Sequence, residues 1–203
     1  MSLVDLIAQA DERGLAASGL ACLDRCVPLL GGDDEVLRPL WASLSDADES
    51  ADWGEGLRQA REKLGGPEGS GEGEASGEGE GSGDGEASGE GEAALLARRM
   101  LSAAPDDRCA DRVRVWADAC SVAALQIHRL LDSVGDPDVS LDSRRAGRTE
   151  GMSPLVAAEL RRQVTVLEVL AGHGTGGLRR ALEVSIEGRR VLQAVVARRA
   201  RLG

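Results

Sequence analysis

The chain has no phenylalanine and no tyrosine, and tryptophan occurs only at Trp41, Trp53 and Trp116 in 203 residues. Without aromatic faces there is little for nucleobases to stack on, which argues against nucleic acid as a partner. Histidine occurs twice, at His128 and His173, and no spacing ties either to a nucleophile, so no catalytic constellation is legible. The four cysteines include no Cys-x2-Cys pair, the spacing typical of zinc ligands. A phosphate loop needs Gly-Lys-Ser/Thr after a strand; Lys63 is the only lysine and precedes Leu64. No run approaches 18 apolar residues, so no membrane span is expected. The first residues lack a basic stretch followed by an apolar one, so no secretion signal is expected. Free thiols in a reducing cytoplasm are the expectation that follows. No cofactor and no metal are expected.

What the chain does have is a repeat. Residues 70–93 read SGEGEA, SGEGEG, SGDGEA, SGEGEA. Glycine loses the most backbone entropy on ordering, the carboxylates repel one another, and nothing there can bury apolar area. The stretch 65–92 is therefore expected to be a long disordered Gly/Glu/Ser insert between an N-terminal helical part, 1–64, and a C-terminal bundle, 93–203. Charge divides the same way. Residues 1–64 hold 13 acids and 6 bases, net −7; residues 65–93 hold 9 acids and no base, net −9. Residues 94–203 hold 13 acids and 18 bases, net +5. An acidic part and a basic part attract each other, so the two are expected to pack as one domain.

Outside the repeat the apolar residues recur with helical period, and no useful stretch alternates with period two. Ser2 with Asp5 predicts a capping box ahead of Leu3, Leu6, Ile7 and Ala10. Gly14 is expected to end that helix, with a second from Leu15. Leu20, Leu23 and Val27 on one face, and Cys22, Cys26 and Leu29 on another, predict that it is central and well covered. Asp52 with Glu55 predicts the start of a helix that Gly65 ends. After the repeat, a helix is expected from Ala93 to Ala103. Cys109, Val113, Trp116, Cys120, Ala123, Ile127 and Leu130 alternate spacings of four and three, a packing seam of about three heptads, closed by Gly135. Ser153-Pro154 starts another helix, and a last one runs from Leu178 to Arg201. Gly188 within it predicts a close helix approach. The fold class expected is all-α, a bundle of about eight helices.

Few residues are candidates for chemistry. Cys22 and Cys26 are one turn apart, but cysteines on an apolar seam behave as small hydrophobes. His128 and Asp132, also one turn apart, predict a surface His–Asp pair. His173 lies in the Gly172–Gly177 turn, read as a tight helix connector. The best candidate is the polar stretch 136–152. Arg144, Arg145 and Arg148 there precede Ser153 at a helix start, and guanidinium groups beside a helix N-terminus can hold an anion. Arg179, Arg190 and Arg201 share a face of the last helix, but Glu183 and Glu187 lie between them.

The functional expectation is a non-enzymatic helical interaction protein, an adaptor or regulatory subunit with a protein partner. The alternative is a small anionic ligand, or an enzyme of such a substrate, at the arginine loop. A third and weaker alternative is nucleic-acid binding by the basic last helix. The sequence does not specify the pathway or the oligomeric state.

Overall fold

The computed structural model describes residues 1–33, 35–45, 52–65, 86–132, 134 and 139–201. The elements are α1 (Leu3–Gln9), α2 (Glu12–Cys26), a 3-10 turn (Val27–Leu30), α3 (Arg38–Ser43) and α4 (Trp53–Leu64). Then come α5 (Glu86–Ser102), α6 (Ala110–Leu131), α7 (Leu141–Arg145) and α8 (Pro154–His173). A second 3-10 turn (Gly174–Gly177) leads into α9 (Leu178–Arg199). Among the described residues there is no strand: the protein is an all-α bundle. No described helix is long and apolar enough to cross a membrane.

Helix α2 is the axis. Every residue from Gly14 to Cys26 is buried, because α6, α8 and α9 close around it. This is the covering that its two apolar faces predict. Trp116 of α6 lies directly over Gly19. A methyl group at Gly19 would stand 2.6 Å from the indole ring, so only glycine admits this approach. Trp116 also meets Trp53 of α4 in a T-shaped pair, with centroids 5.9 Å apart. Both indoles donate to backbone oxygens, Trp116 to Met100 at 2.9 Å and Trp53 to Pro105 at 2.8 Å. The two rings thus pin four helices together.

Several boundaries depart from the sequence reading, each for a local reason. The capping box of Ser2 and Asp5 forms as expected. However, α1 ends at Gln9, and α2 begins at Glu12 rather than Leu15. Asp11 caps it by accepting from the Gly14 amide at 2.7 Å, so Gly14 sits inside the first turn. Helix α5 begins at Glu86, earlier than Ala93. Its first turns are held by a 3.3 Å ion pair from Arg199 to Glu90. The polar stretch before α8 contains α7, capped by Ser140, which accepts from the Ser143 amide. The closure expected at Gly135 lies outside the described residues, as do 66–85 of the insert expected to be disordered over 65–92; its last part, 86–92, is helical instead.

The helices before the repeat and those after it share one apolar core. Leu15, Leu20, Leu23 and Leu57 belong to the same cluster as Val113, Leu125, Val156, Ala181 and Leu192. At roughly 1.5–3 kcal/mol per large apolar side chain removed from water, neither set could be exposed without large loss. We therefore expect that a protease site placed within 66–85, once cut, leaves two fragments that co-elute and unfold in one transition. Fragments that separate on a sizing column without denaturant would show two independent modules.

Candidate functional site

The core of the bundle contains an ionic network that spans four helices. Arg25 of α2 forks onto Glu159 of α8, Nε to Oε2 at 2.8 Å and Nη2 to Oε1 at 2.6 Å. Both side chains are fully buried. Gln163, one turn along α8, donates to Glu159 Oε1 at 2.9 Å and accepts from Ser121 Oγ of α6 at 2.7 Å. Arg145 of α7 donates from Nε to the same Ser121 oxygen at 3.1 Å. It also pairs with Asp118 of α6 and, at 3.5 Å, with Asp142. The chain of bonds thus runs from the centre of the bundle to its surface. A second buried pair, Arg189 to Asp24 at 2.8 Å, ties α9 to α2.

His128 of α6 belongs to this network and not to the surface. The sequence reading paired it with Asp132. Instead it is fully buried, its Nδ1 donates to the Ala124 carbonyl at 2.7 Å, and its Nε2 faces Glu159 Oε2 at 3.6 Å. Asp132 serves α8, accepting from the Leu155 amide at 2.9 Å. That explains why Ser153 makes no side-chain cap there. Burial lowers the His128 pKa below its ordinary value, against the pull of Glu159, so the imidazole is neutral with its proton on Nδ1. Burial alone would push the Glu159 carboxyl up. The Arg25 guanidinium and the bond from Gln163 outweigh it, and the group is held below the usual carboxylate range.

Room for the Arg25 stem comes from α9. A methyl group at Gly188 would stand 2.3 Å from Arg25 Cδ and 2.9 Å from Arg162 Cδ. The close approach expected at Gly188 is therefore to long side chains that cross the helix. Cys22 lies beside the network, its Sγ 3.4 Å from Arg25 Nη2. Burial pushes its thiol up to about 12 and those of Cys26 and Cys120 well above their ordinary value. These are protonated, unreactive sulfurs. Cys109 departs from the seam read in sequence: it precedes α6 and is exposed. No group of three or more metal-ligating side chains is gathered among the described residues.

The arginine loop is drawn partly inward. Arg144 is 1% exposed and donates to the carbonyls of Arg148, at 3.2 Å, and Glu150, at 2.6 Å. Arg145 is 4% exposed and bonded as above. The Arg148 side chain is exposed, and Ser153 is buried at the head of α8. Arg144 and Arg145 line a pocket of about 330 Å³ together with Met1, Ser2, Leu3, Gly147, Thr149, Leu160, Arg161, Val164 and Thr165. On α9, Arg179 and Arg180 both reach Glu183, at 3.5 and 3.2 Å. His173 is exposed, one residue before the Gly174–Gly177 turn.

The surface carries a second concavity that sequence reading missed. Two adjoining hollows, of about 560 and 630 Å³, meet at Arg61 and Ser102. The first lies between α4 and α5, lined by Leu95, Arg98, Arg99 and Leu101. The second lies between the α5–α6 turn and α6, lined by Arg112, Val115, Trp116 and Ala119. Val115 is 72% and Leu95 45% exposed. Its only signal in the sequence is apolar residues off the packing stripe: Val115 beside Trp116, and Leu95 beside Leu96.

The fold and these sites define a helical bundle with an ionic core and a surface groove lined by both arginines and carboxylates, Glu62, Asp106 and Asp111 among them. No known protein family, curated protein or solved structure matches the chain.

Two outcomes test the core. Glu159→Ala leaves the Arg25 charge buried and unpaired, and is expected to cost about 3–5 kcal/mol in urea unfolding. The Arg25→Met/Glu159→Leu double variant should recover most of that loss. The pH dependence follows from the shifted groups. The folded-state pKa of His128 lies below 6.5, so the unfolded chain takes the proton first as pH falls. Its contribution is complete above 6.5 and is lost as pH drops from there towards the folded value. Glu159 adds a second loss below 4.5, for the same reason. Unfolding free energy measured against pH should fall in both windows, and His128→Gln should flatten the first one only.

Proposed function

We propose that this is a non-enzymatic interaction protein, an adaptor or regulatory subunit, and that its partner docks in the groove formed by α4, α5 and α6. The observation that carries the reading is the pairing of exposed apolar side chains with unmatched positive charge. Val115 and Leu95 stand exposed in the two hollows. Arg98 and Arg99, one turn on from Leu95, are exposed and form no ion pair with a described residue. Arg61 is already held by Asp106 at 2.5 Å and Arg112 by Asp107 at 3.2 Å, so the free charge is concentrated on α5. An exposed apolar groove with two exposed arginines on its α5 wall fits an amphipathic helix. The partner is therefore a protein segment with apolar anchors on one face and carboxylates beside them.

Chemistry inside the bundle has less to support it. The buried Arg25–Glu159–His128 group is fully enclosed, and its charges are matched to one another. The buried thiols are held in their unreactive form.

The test is site-specific photo-crosslinking in the cells that make the protein. A crosslinker at Val115 should capture a defined protein, and peptide mapping should place the joint in an acidic amphipathic segment. The same crosslinker at Glu168, exposed on α8, should not capture it. Arg98→Glu/Arg99→Glu should reduce capture by roughly tenfold or more. Equal capture at both positions, or capture indifferent to the charge reversal, would overturn the reading.

A further inference from the structure

The pocket between α1, α7 and α8 is lined by three arginines, two threonines and a serine, with no carboxylate among its lining residues. Its apolar side is Leu3, Leu160 and Val164. Two of the guanidinium groups are fixed in place: Arg144 by the carbonyls of Arg148 and Glu150, Arg145 by Ser121, Asp118 and Asp142. The third differs. Arg161 is exposed, forms no ion pair with a described residue, and stands one helical turn before Thr165. A guanidinium group and a hydroxyl one turn apart can close on a single oxyanion, and one arginine fork matches one carboxylate.

We propose that this pocket binds a small amphiphilic carboxylate. Arg161 takes the carboxylate in a forked pair, Thr165 and Thr149 supply hydroxyl donors, and Leu3, Leu160 and Val164 cover a short apolar body. Arg145 is paired with two aspartates and Arg144 is committed to internal carbonyls, so Arg161 is the exposed guanidinium group of the pocket. A single exposed fork matches the two oxygens of a carboxylate. The volume of about 330 Å³ is at the small end for ligand sites, which run from roughly 300 to 1,000 Å³. A short apolar body with one carboxylate fits that volume. Ser2 is already engaged in the α1 capping box, so it helps to shape the wall and does not bind the ligand. The site is separate from the α4–α5–α6 groove, and either can fail without the other.

Binding can be read on the full chain, tagged at the C-terminus so that Met1 stays free. Hexanoate titrated at neutral pH should give saturable methyl NMR shifts at Leu3, Leu160 and Val164, and should raise the melting temperature. Hexanol, acetate and hexyl phosphate should each bind at least roughly tenfold more weakly, a difference of about 1.4 kcal/mol. Arg161→Gln should weaken hexanoate by a similar factor. Thr165→Val should weaken it less, while Arg179→Gln, on the far helix, should leave it unchanged. Both Arg161 and Arg179 are exposed, so these variants should fold. Absence of saturation at millimolar hexanoate, equal binding by Arg161→Gln, or equal binding of hexanol would overturn the proposal. Tighter binding of hexyl phosphate than of hexanoate would overturn the choice of ligand class.

Discussion

Arg25 is a permanent cation placed where no solvent reaches it. Removing such a charge from water is costly, and only a well-aimed counter-ion with its own remaining valences satisfied offsets the cost. Glu159 supplies the counter-ion in forked geometry, Gln163 donates to one carboxylate oxygen, and His128 packs beside the other without donating to it. The residues come from α2, α6 and α8, so the network ties these three helices to one another at fixed points. A bundle built almost entirely of leucine, valine and alanine is otherwise prone to sliding, since aliphatic surfaces fit one another in many ways. The ionic pair acts here less as a source of stability than as a device that selects one arrangement. Gly188 and Gly19 are parts of the same constraint, one admitting the Arg25 stem and the other the Trp116 ring.

Much of this architecture is written in the sequence, and the parts that are not share a cause. Helix identity follows from apolar period, and the centrality of α2 follows from its two apolar faces. Caps that are contiguous in sequence, Ser2 with Asp5 and Asp52 before Glu55, read correctly. Asp11 does not, because it caps across a glycine that resembles a stop. Asp132 does not either, since it serves a helix 23 residues further on. The ionic network was invisible for the same reason. Arg25 and Glu159 are 134 residues apart, and each looks locally like one charged residue on a helix. His128 drew attention through its neighbour in sequence, while its true surroundings come from another helix.

The candidate sites were legible only in fragments. Arg144 and Arg145 do line a pocket, but their bonding to internal oxygens shifts attention to Arg161. That arginine lies in the middle of α8 and has no sequence signature. The groove between α4, α5 and α6 depends on how three helices diverge, which periodicity does not encode. Exposed Val115 beside buried Trp116 shows the difficulty. Adjacent helical residues point about 100° apart, and only packing decides which of them is covered.

The four cysteines divide unevenly, three sealed in the bundle and Cys109 on the outside. A maleimide dye should therefore attach at a single place on the native molecule, at the head of α6 and close to the groove that a docking segment would fill. The remaining sulfurs become available only when α2 and α6 part. Counting labelled thiols over time would then give the frequency of such breathing, with no engineered residue in the chain.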